Sequence, residues 1–333
     1  MVADHLSGFA RHLRVILGLK ASTVSAYLIT LRGFRDYLEE CHAGEPLQRR
    51  QIEGFLEALF RGGNENSTRR GKLVAIRKFF DYLVYEGIIT ENIAEQIPLP
   101  RKEKKIVRIF TREEILDFFR AVPLIKDGEP REKYLRDVVI LILLAFGGLR
   151  AGEILKLNIE DIVNEDRMSI HVIGKGDRER WVRTIWKVPA QFIWQYLLSR
   201  MQAHGAGPAD PLVCSYRKGG KPKGERLTEG AIDQLVKDLA QDAKIRKSRI
   251  HAHMFRSTNA TNLMDVEGWD LNHVKAHLGH KSISTTEENY IASGDPHRKK
   301  YPSFAALWKD FNLKLWQKGE VHDSSNDGGG LVG

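Results

Sequence analysis

Between residues 23 and 38, apolar side chains at Val24, Tyr27, Leu28, Leu31, Phe34 and Leu38 recur at steps of three and four. This period predicts an amphipathic helix, with Ser22 as its N-cap. A second helix is expected around Ile52, Phe55, Leu56 and Leu59, broken by Gly62-Gly63-Asn64. A third, over 68–85, gathers Leu73, Ile76, Phe80 and Leu83 on one face and leaves Arg69, Arg70, Lys72, Arg77 and Lys78 on the others. Pro98 and Pro100 then stop regular structure, because a residue before proline is driven out of the helical region.

Thr111-Arg-Glu-Glu114 has the form of a capping box, opening a helix whose apolar side is Ile115, Leu116, Phe118 and Phe119. The unbroken apolar run 138–146 predicts a buried helix ending at Gly147-Gly148, so that Arg150 stands at a turn. Period-two alternation follows: Met168, Ile170 and Val172, a Gly174-Lys175-Gly176-Asp177 turn, then Trp181, Val182 and Ile185. That is a β-hairpin with Lys175 at its tip. Helices are expected again from Leu227-Thr-Glu-Gly230 and over 253–263, and a last one aligns Phe304, Leu307, Trp308, Phe311 and Leu315. This aromatic face either completes its own core or docks on a neighbouring subunit. From residue 320 onward Asp, Ser, Asn and Gly dominate, and a disordered tail is expected. The pattern is that of a mainly α fold with a small antiparallel β-sheet, of the α+β class.

A chain of 333 residues that is 42% hydrophobic suits two cores better than one. Its formal charge of +9, from 52 Lys and Arg against 43 Asp and Glu, favours a polyanion such as nucleic acid as partner. The surplus is concentrated in 101–112, where Arg101, Lys102, Lys104, Lys105, Arg108 and Arg112 face only Glu103. A cationic connector between two domains suits a clamp around a duplex, although a charged solvent face is the commoner reason for such residues. Cys41 and Cys214 stand far apart without metal-ligand spacing, which points to a reducing compartment and no disulfide framework. Apolar runs are too short to span a bilayer and the N-terminus lacks a signal-peptide core, so a soluble cytoplasmic protein with no membrane partner is expected.

The second half offers Arg150, Lys175, His253, Arg256, His280 and Tyr290, a set suited to phosphoryl transfer. Two guanidiniums can hold the nonbridging oxygens of a phosphodiester and stabilise added charge in the transition state. Lysine can protonate a leaving oxygen, imidazole can move protons near neutrality, and a phenol can attack where cations stabilise its developing charge. Singly, each has a plain alternative: Arg150 paired with Glu153 on a surface, Lys175 as a solvated tip, Tyr290 as a half-buried aromatic.

Their joint order is more specific. Arg150 with Glu153, Gly-Lys175-Gly, His253-Met-Phe-Arg256, Leu-Gly-His280 and Tyr290 resembles the tyrosine recombinases, or phage integrase family, of the simple two-domain kind. Residues 23–38 and 70–100 resemble that family's helical, SAM-like core-binding domain. The resemblance implies a core-binding domain over 1–100, a basic linker over 101–112, a catalytic domain over 113–301, a C-terminal helix over 302–319 exchanged between subunits or kept in cis, and the tail 320–333. It implies that Arg150 and Arg256 bind the scissile phosphate, that Lys175 is the general acid, and that Tyr290 forms a 3′-phosphotyrosyl bond. His253 assists proton transfer, His280 hydrogen-bonds the phosphate, and Glu153 orders the site.

It further implies no cofactor and no metal, and as partners a double-stranded recombination site with inverted half-sites and a homo-tetramer assembled on it, in the nucleoid. Contacts to DNA are expected from Arg69, Arg70, Lys72, Arg77, Lys78, Lys102, Lys104, Lys105 and Arg108. The lack of an evident arm-binding domain ahead of Thr23 favours the simple type. The sequence departs from the family in three places: ten steps separate His280 from Tyr290, one more than is commonest, Ser257 stands where many members have histidine, and Ile93 where many have proline. Two other readings compete. One is a non-catalytic DNA-binding protein; the other is a metal-dependent nuclease using His273, His277 and His280, spaced to share a helical face, with His251 and His253.

Overall fold

The computed structural model describes residues 2–103, 107–122, 131–164, 168–174, 178–183, 187–216, 222–265 and 267–279. The chain divides into two compact units, residues 1–105 and 106–333. Lys104, Lys105, Lys175, His280, Tyr290, the terminal helix over 302–319 and the tail 320–333 lie outside the described residues.

In the first unit, α1 (Val2–Arg11) runs into a π turn over His12–Ile16 and is followed by α2 (Ala21–Cys41), α3 (Arg49–Arg61) and α4 (Asn66–Tyr85). The one-sided apolar positions meet as expected: Val24, Leu31, Phe34, Ile52, Phe55, Leu73, Ile76, Phe80 and Leu83 share one core. Phe9 of α1 enters the same core edge-on to Phe79, with ring centroids 5.3 Å apart. Ser22 is not the cap of α2. Lys20 is extended, and its carbonyl already accepts from Thr23 N at 2.9 Å and Val24 N at 3.1 Å, so the helix starts ahead of Ser22. Past α4 the chain is tied back by Arg77, which donates through Nε to Ala94 O at 3.2 Å and through Nη2 to Ile97 O at 2.5 Å and Glu95 O at 3.3 Å. Asn92 fixes the same segment by donating to Arg77 O at 3.0 Å and Asp81 Oδ1 at 2.7 Å.

The second unit opens with α5 (Arg112–Ala121), and the capping box is formed in both directions: Glu114 N donates to Thr111 Oγ1 at 3.2 Å, and Thr111 N to Glu114 Oε2 at 2.6 Å. The central element is α6 (Arg131–Ala145), buried along 138–145 on every side, as an unbroken apolar run requires. Around it lie α7 (Ala151–Ile154), α8 (Lys187–His204), α9 (Glu229–Asp242), α10 (His253–Asp265) and α11 (Leu271–Leu278). Thr228 caps α9, accepting from Ala231 N at 3.1 Å.

The expected hairpin is β2 (Met168–Ile173) with β3 (Glu179–Val182), and β1 (Ile162–Asn164) adds an edge to make an antiparallel sheet in the order β1-β2-β3. Ile170 lies opposite both Ile162 and Val182, so the alternating apolar face is turned to the core. A second antiparallel pair, β4 (Cys214–Tyr216) with β5 (Pro222–Arg226), was not signalled by alternation. The mainly α fold with small antiparallel sheets is therefore the one expected. Among the described residues, no helix is long and apolar enough to cross a membrane.

Candidate active site

The site forms where α6 ends. Gly148 takes φ +61° to turn the chain, and its Cα packs so closely that a Cβ would lie 2.6 Å from Asn259 Oδ1 and 2.9 Å from Leu278 Cδ2. Asn259 holds the turn from the other side, donating to Ala145 O at 2.9 Å and Phe146 O at 3.0 Å. Arg150 follows in the extended cap position of α7, and Glu153 one turn on accepts from Arg150 N at 3.0 Å through Oε2 and from Arg150 Nη1 at 2.7 Å through Oε1. The surface-pair reading of these two residues fails on burial: Glu153 is only 5% exposed.

Arg256 comes from α10, which is anchored on α5 by the aromatic trio Phe110, Phe118 and Phe255, with centroids 4.7 to 4.9 Å apart. Its Nη1 donates to Gly148 O at 2.7 Å and stands 3.7 Å from Glu153 Oε2, while Nη2 donates to Leu278 O. The Nε–H is buried and has no hydrogen-bond partner among the described residues. A guanidinium has five donors, so Arg256 retains capacity beyond its two carbonyls.

Arg180 on β3 was missed in the sequence, yet it is the partner that completes Glu153. Nη2 donates to Glu153 Oε2 at 2.8 Å, Nη1 to Oε1 at 3.1 Å, and Nε to His277 O at 2.7 Å. The signal was available in principle, because Arg180 shares the inward face of a strand with Val182, and an inward cation needs a buried anion. The carbonyls of His277 and Leu278, left without helical partners at the end of α11, are thus both satisfied by guanidiniums. Gly279, at φ +65°, ends that helix immediately before His280.

The hairpin root lies on the same cluster: Gly174 N donates to Arg178 O at 2.8 Å, and a Cβ on Gly174 would be 3.5 Å from Glu153 Oε1. Lys175 itself is the next residue, outside the described set. Between hairpin and α11 opens a cleft of about 330 Å³ whose wall includes Arg178, Arg180 and Lys275 against Glu179.

Electrostatics follow from three guanidiniums around one carboxylate. Burial opposes ionisation of Glu153, but the hydrogen bonds and charge of Arg180, with Arg150 N–H and Arg256, outweigh it and hold its pKa at about 2. Burial and the neighbouring Arg150 lower Arg256 to about 9, still a cation at neutral pH. At the first position of α10, desolvation together with Arg256, Arg150 and the stacked His251 pushes His253 down to about 4, although its surface still meets solvent. His253 is therefore neutral at pH 7, and an anion between the arginines would raise its pKa again.

His273 and His277 do not act together. The exposed His273 pairs with Asp270 at 2.5 Å, whereas His277 is buried edge-on to Trp269, with centroids 5.6 Å apart. Burial and the charges of Arg180 and Arg256 lower His277 to about 3. Among the described residues no three His, Cys, Asp or Glu side chains gather as a metal ion would require.

In the first unit the expected DNA-contacting cations hold varied posts. Arg69 lies over the Phe60 ring at 4.8 Å, Lys72 near that of Phe55 at 5.9 Å, Arg70 donates to Pro100 O at 3.2 Å, and Lys78 pairs with Asp81 at 3.0 Å. Arg77 is occupied by main-chain carbonyls. Lys102 is exposed, and Arg108, in the second unit, donates to Ser248 O at 2.9 Å.

The phage integrase family model matches residues 110–297, and the SAM-like N-terminal domain of phage integrases matches 6–87. The chain belongs to the phage integrase family. The resemblance carried by the motifs is borne out across both halves of the chain. It is 29% identical over 308 residues to the tyrosine recombinase XerC of Roseiflexus castenholzii, covering 90% of this chain and 93% of the relative. With the tyrosine recombinase XerC of Syntrophus aciditrophicus it is 30% identical over 84% of this chain and 90% of the relative. The fold of this phage integrase family member is similar to that of the XerH site-specific recombinase in a post-cleavage complex with palindromic difH substrate, at TM-score 0.69 and 22% identity over 92% of this chain and 84% of that one. A lambda integrase tetramer bound to a Holliday junction is similar at TM-score 0.63 and 18% identity, over 88% and 78% of the two chains.

Proposed function

We infer that this protein is a tyrosine-type site-specific DNA recombinase, which breaks and rejoins DNA strands. Family membership over most of the chain carries this reading, and the cluster of Arg150, Arg180 and Arg256 around Glu153 supports it, since it gathers surplus positive charge where a phosphodiester would be held.

The mechanism assigns a role to each group. Arg150 and Arg256 bind the nonbridging oxygens of the scissile phosphate and stabilise its pentacoordinate transition state, with Glu153 ordering the site around Arg150. The Tyr290 phenolate oxygen attacks phosphorus, the bond to the 5′-oxygen breaks, and Lys175 delivers a proton to that oxygen. The 3′-phosphotyrosyl bond keeps the phosphoester energy, so a 5′-hydroxyl from the partner duplex can reverse the step without cofactor or metal. His253, neutral before DNA binds, accepts the tyrosine proton, and His280 hydrogen-bonds the phosphate.

The assembly belongs to the same proposal. Residues 1–100 and 113–301 act as core-binding and catalytic domains joined by the basic 101–112 segment. Arg69, Arg70, Lys72, Lys78, Lys102, Lys104, Lys105 and Arg108 lie along phosphates, while Arg77 braces the chain after α4. Four protomers on two sites with inverted half-sites exchange strands through a Holliday junction, in the cytoplasm on the nucleoid; the lambda integrase tetramer on such a junction supports this arrangement. Affinity falls steeply with salt, because phosphate contacts dominate it.

The decisive experiment is a covalent protein–DNA complex that survives denaturation, forms in the presence of a chelator and is lost in Tyr290→Phe. A requirement for divalent metal would favour a nuclease, and binding without any covalent product a non-catalytic DNA-binding protein. Sequencing the attached DNA identifies the target.

A further inference from the structure

Glu153 offers two oxygens, with roughly four lone-pair sites in all. Arg150 occupies one site on each oxygen, through Nη1 at 2.7 Å and its backbone N at 3.0 Å. Arg180 occupies the others, at 3.1 Å and 2.8 Å. Arg256 Nη1 is thereby left 3.7 Å from Glu153, outside hydrogen-bond range, and directed instead to Gly148 O.

We propose that Arg180 is a positioning residue for strand cleavage, which saturates the Glu153 carboxylate so that Arg256 stays available to the phosphate and which pins the end of α11. This rests on the recombinase reading above. Two physical steps carry it. First, a buried carboxylate with an open lone pair draws the nearest cation, and here that is Arg256. With Arg180 present the cluster is three cations to one anion; without it, two to one, with the anion competing for the guanidiniums that the substrate needs. Second, Arg180 Nε holds His277 O, the last turn before the αL residue Gly279, and a Cβ on Gly279 would lie 3.3 Å from Arg180 Nη1. One planar side chain therefore joins the hairpin that leads to Lys175, the helix start that carries Arg150 and Glu153, and the helix end that leads to His280. Lysine has charge without the planar fork and cannot make these three contacts at once.

The test uses a nicked duplex carrying the DNA recovered from the wild-type covalent complex, full-length protein at saturation, and three readouts: single-turnover formation of the covalent complex, affinity for the intact duplex, and Tm. Arg180→Gln is expected to slow covalent-complex formation ~100-fold, the scale of losing one preorganised electrostatic contact, with DNA affinity unchanged. Arg180→Lys recovers part of that loss. The double variant Glu153→Gln with Arg180→Gln, which removes one charge of each sign, is expected to react about tenfold faster than Arg180→Gln alone, a coupling that loss of packing does not produce. Wild-type rates in Arg180→Gln, a rate loss matched by equal losses of affinity and Tm, or a double variant no faster than the single overturns the proposal. Should Arg180→Gln fail to fold, Arg180→Lys decides alone: slower cleavage at full affinity and Tm supports it, and a wild-type rate sinks it. A wild-type protein that forms no covalent complex refutes the recombinase reading and this proposal together, whereas an active wild type beside an equally active Arg180→Gln refutes only the latter.

Discussion

Arg77 on α4 and Arg256 on α10 both reach sideways from a helix to main-chain carbonyls, and sequence context alone gives them the same standing as cations expected to meet DNA. Their surroundings differ. Arg77 meets the carbonyls of Ala94, Glu95 and Ile97 and, among the described residues, no carboxylate within ion-pair range, so its guanidinium serves as a brace for the chain after α4. Arg256 is 1% exposed, divides its donors between Gly148 O and Leu278 O, keeps an Nε–H that has no partner among the described residues, and lies beside a carboxylate already filled by other arginines. The lesson is that a substrate-binding arginine is told from a structural one by what remains of its donors and by which charges surround it, not by its place on a helix.

The largest effect expected in separating the two regions is at Glu153. Glu153→Ala leaves Arg150, Arg180 and Arg256 crowded without an anion and should cost ~3–5 kcal/mol in denaturant unfolding; a loss near zero would mean that water already screens the cluster. Next is Gly148→Ala, where the αL backbone and the approach to Asn259 and Leu278 together should cost ~3 kcal/mol and lower Tm accordingly.

The site should also respond to acid. His277, lowered to about 3 in the folded state, is neutral when folded, while its unfolded form takes up a proton near pH 6.5. Its contribution is therefore fully present above pH 6.5 and lost as pH falls from there towards 3, at up to ~1.4 kcal/mol per pH unit. His277→Phe should reduce that slope in unfolding titrations, leaving the part that His253, lowered to about 4, contributes between pH 6.5 and 4; an unchanged slope assigns it to other groups. Glu153 adds its own loss only between about pH 4.5 and 2. The smallest effect is at the brace: Arg77→Ala should cost ~1–3 kcal/mol in the first unit by leaving carbonyls unpaired, with the rate of strand cleavage by the folded protein unchanged.

What the sequence disclosed, and what it did not, follows the same division. Elements fixed by many residues of one kind were legible: the apolar stripe of α4, the all-apolar run of α6, the alternating hairpin and the Thr111–Glu114 box. Short elements were not. In the 3-residue β1 and β4 too few positions exist for a period to emerge, and α1 with the π turn that follows it contributes Phe9 and Leu13 to the core without a long stripe. Arg150, Glu153 and Arg256 were legible as a set because their order matches a family. Arg180 was hidden because its role depends on pairing across 27 residues of chain to Glu153 and on α11 ending where it does.

The most direct measurement compares Arg256→Lys with Arg77→Lys on one nicked target duplex, at saturating protein and with Tm recorded for both. If Arg256 serves the phosphate and Arg77 the fold, Arg256→Lys forms the covalent complex ~10²–10³ slower while still binding DNA, and Arg77→Lys forms it at the wild-type rate. Equal rates for the two variants would contradict the account.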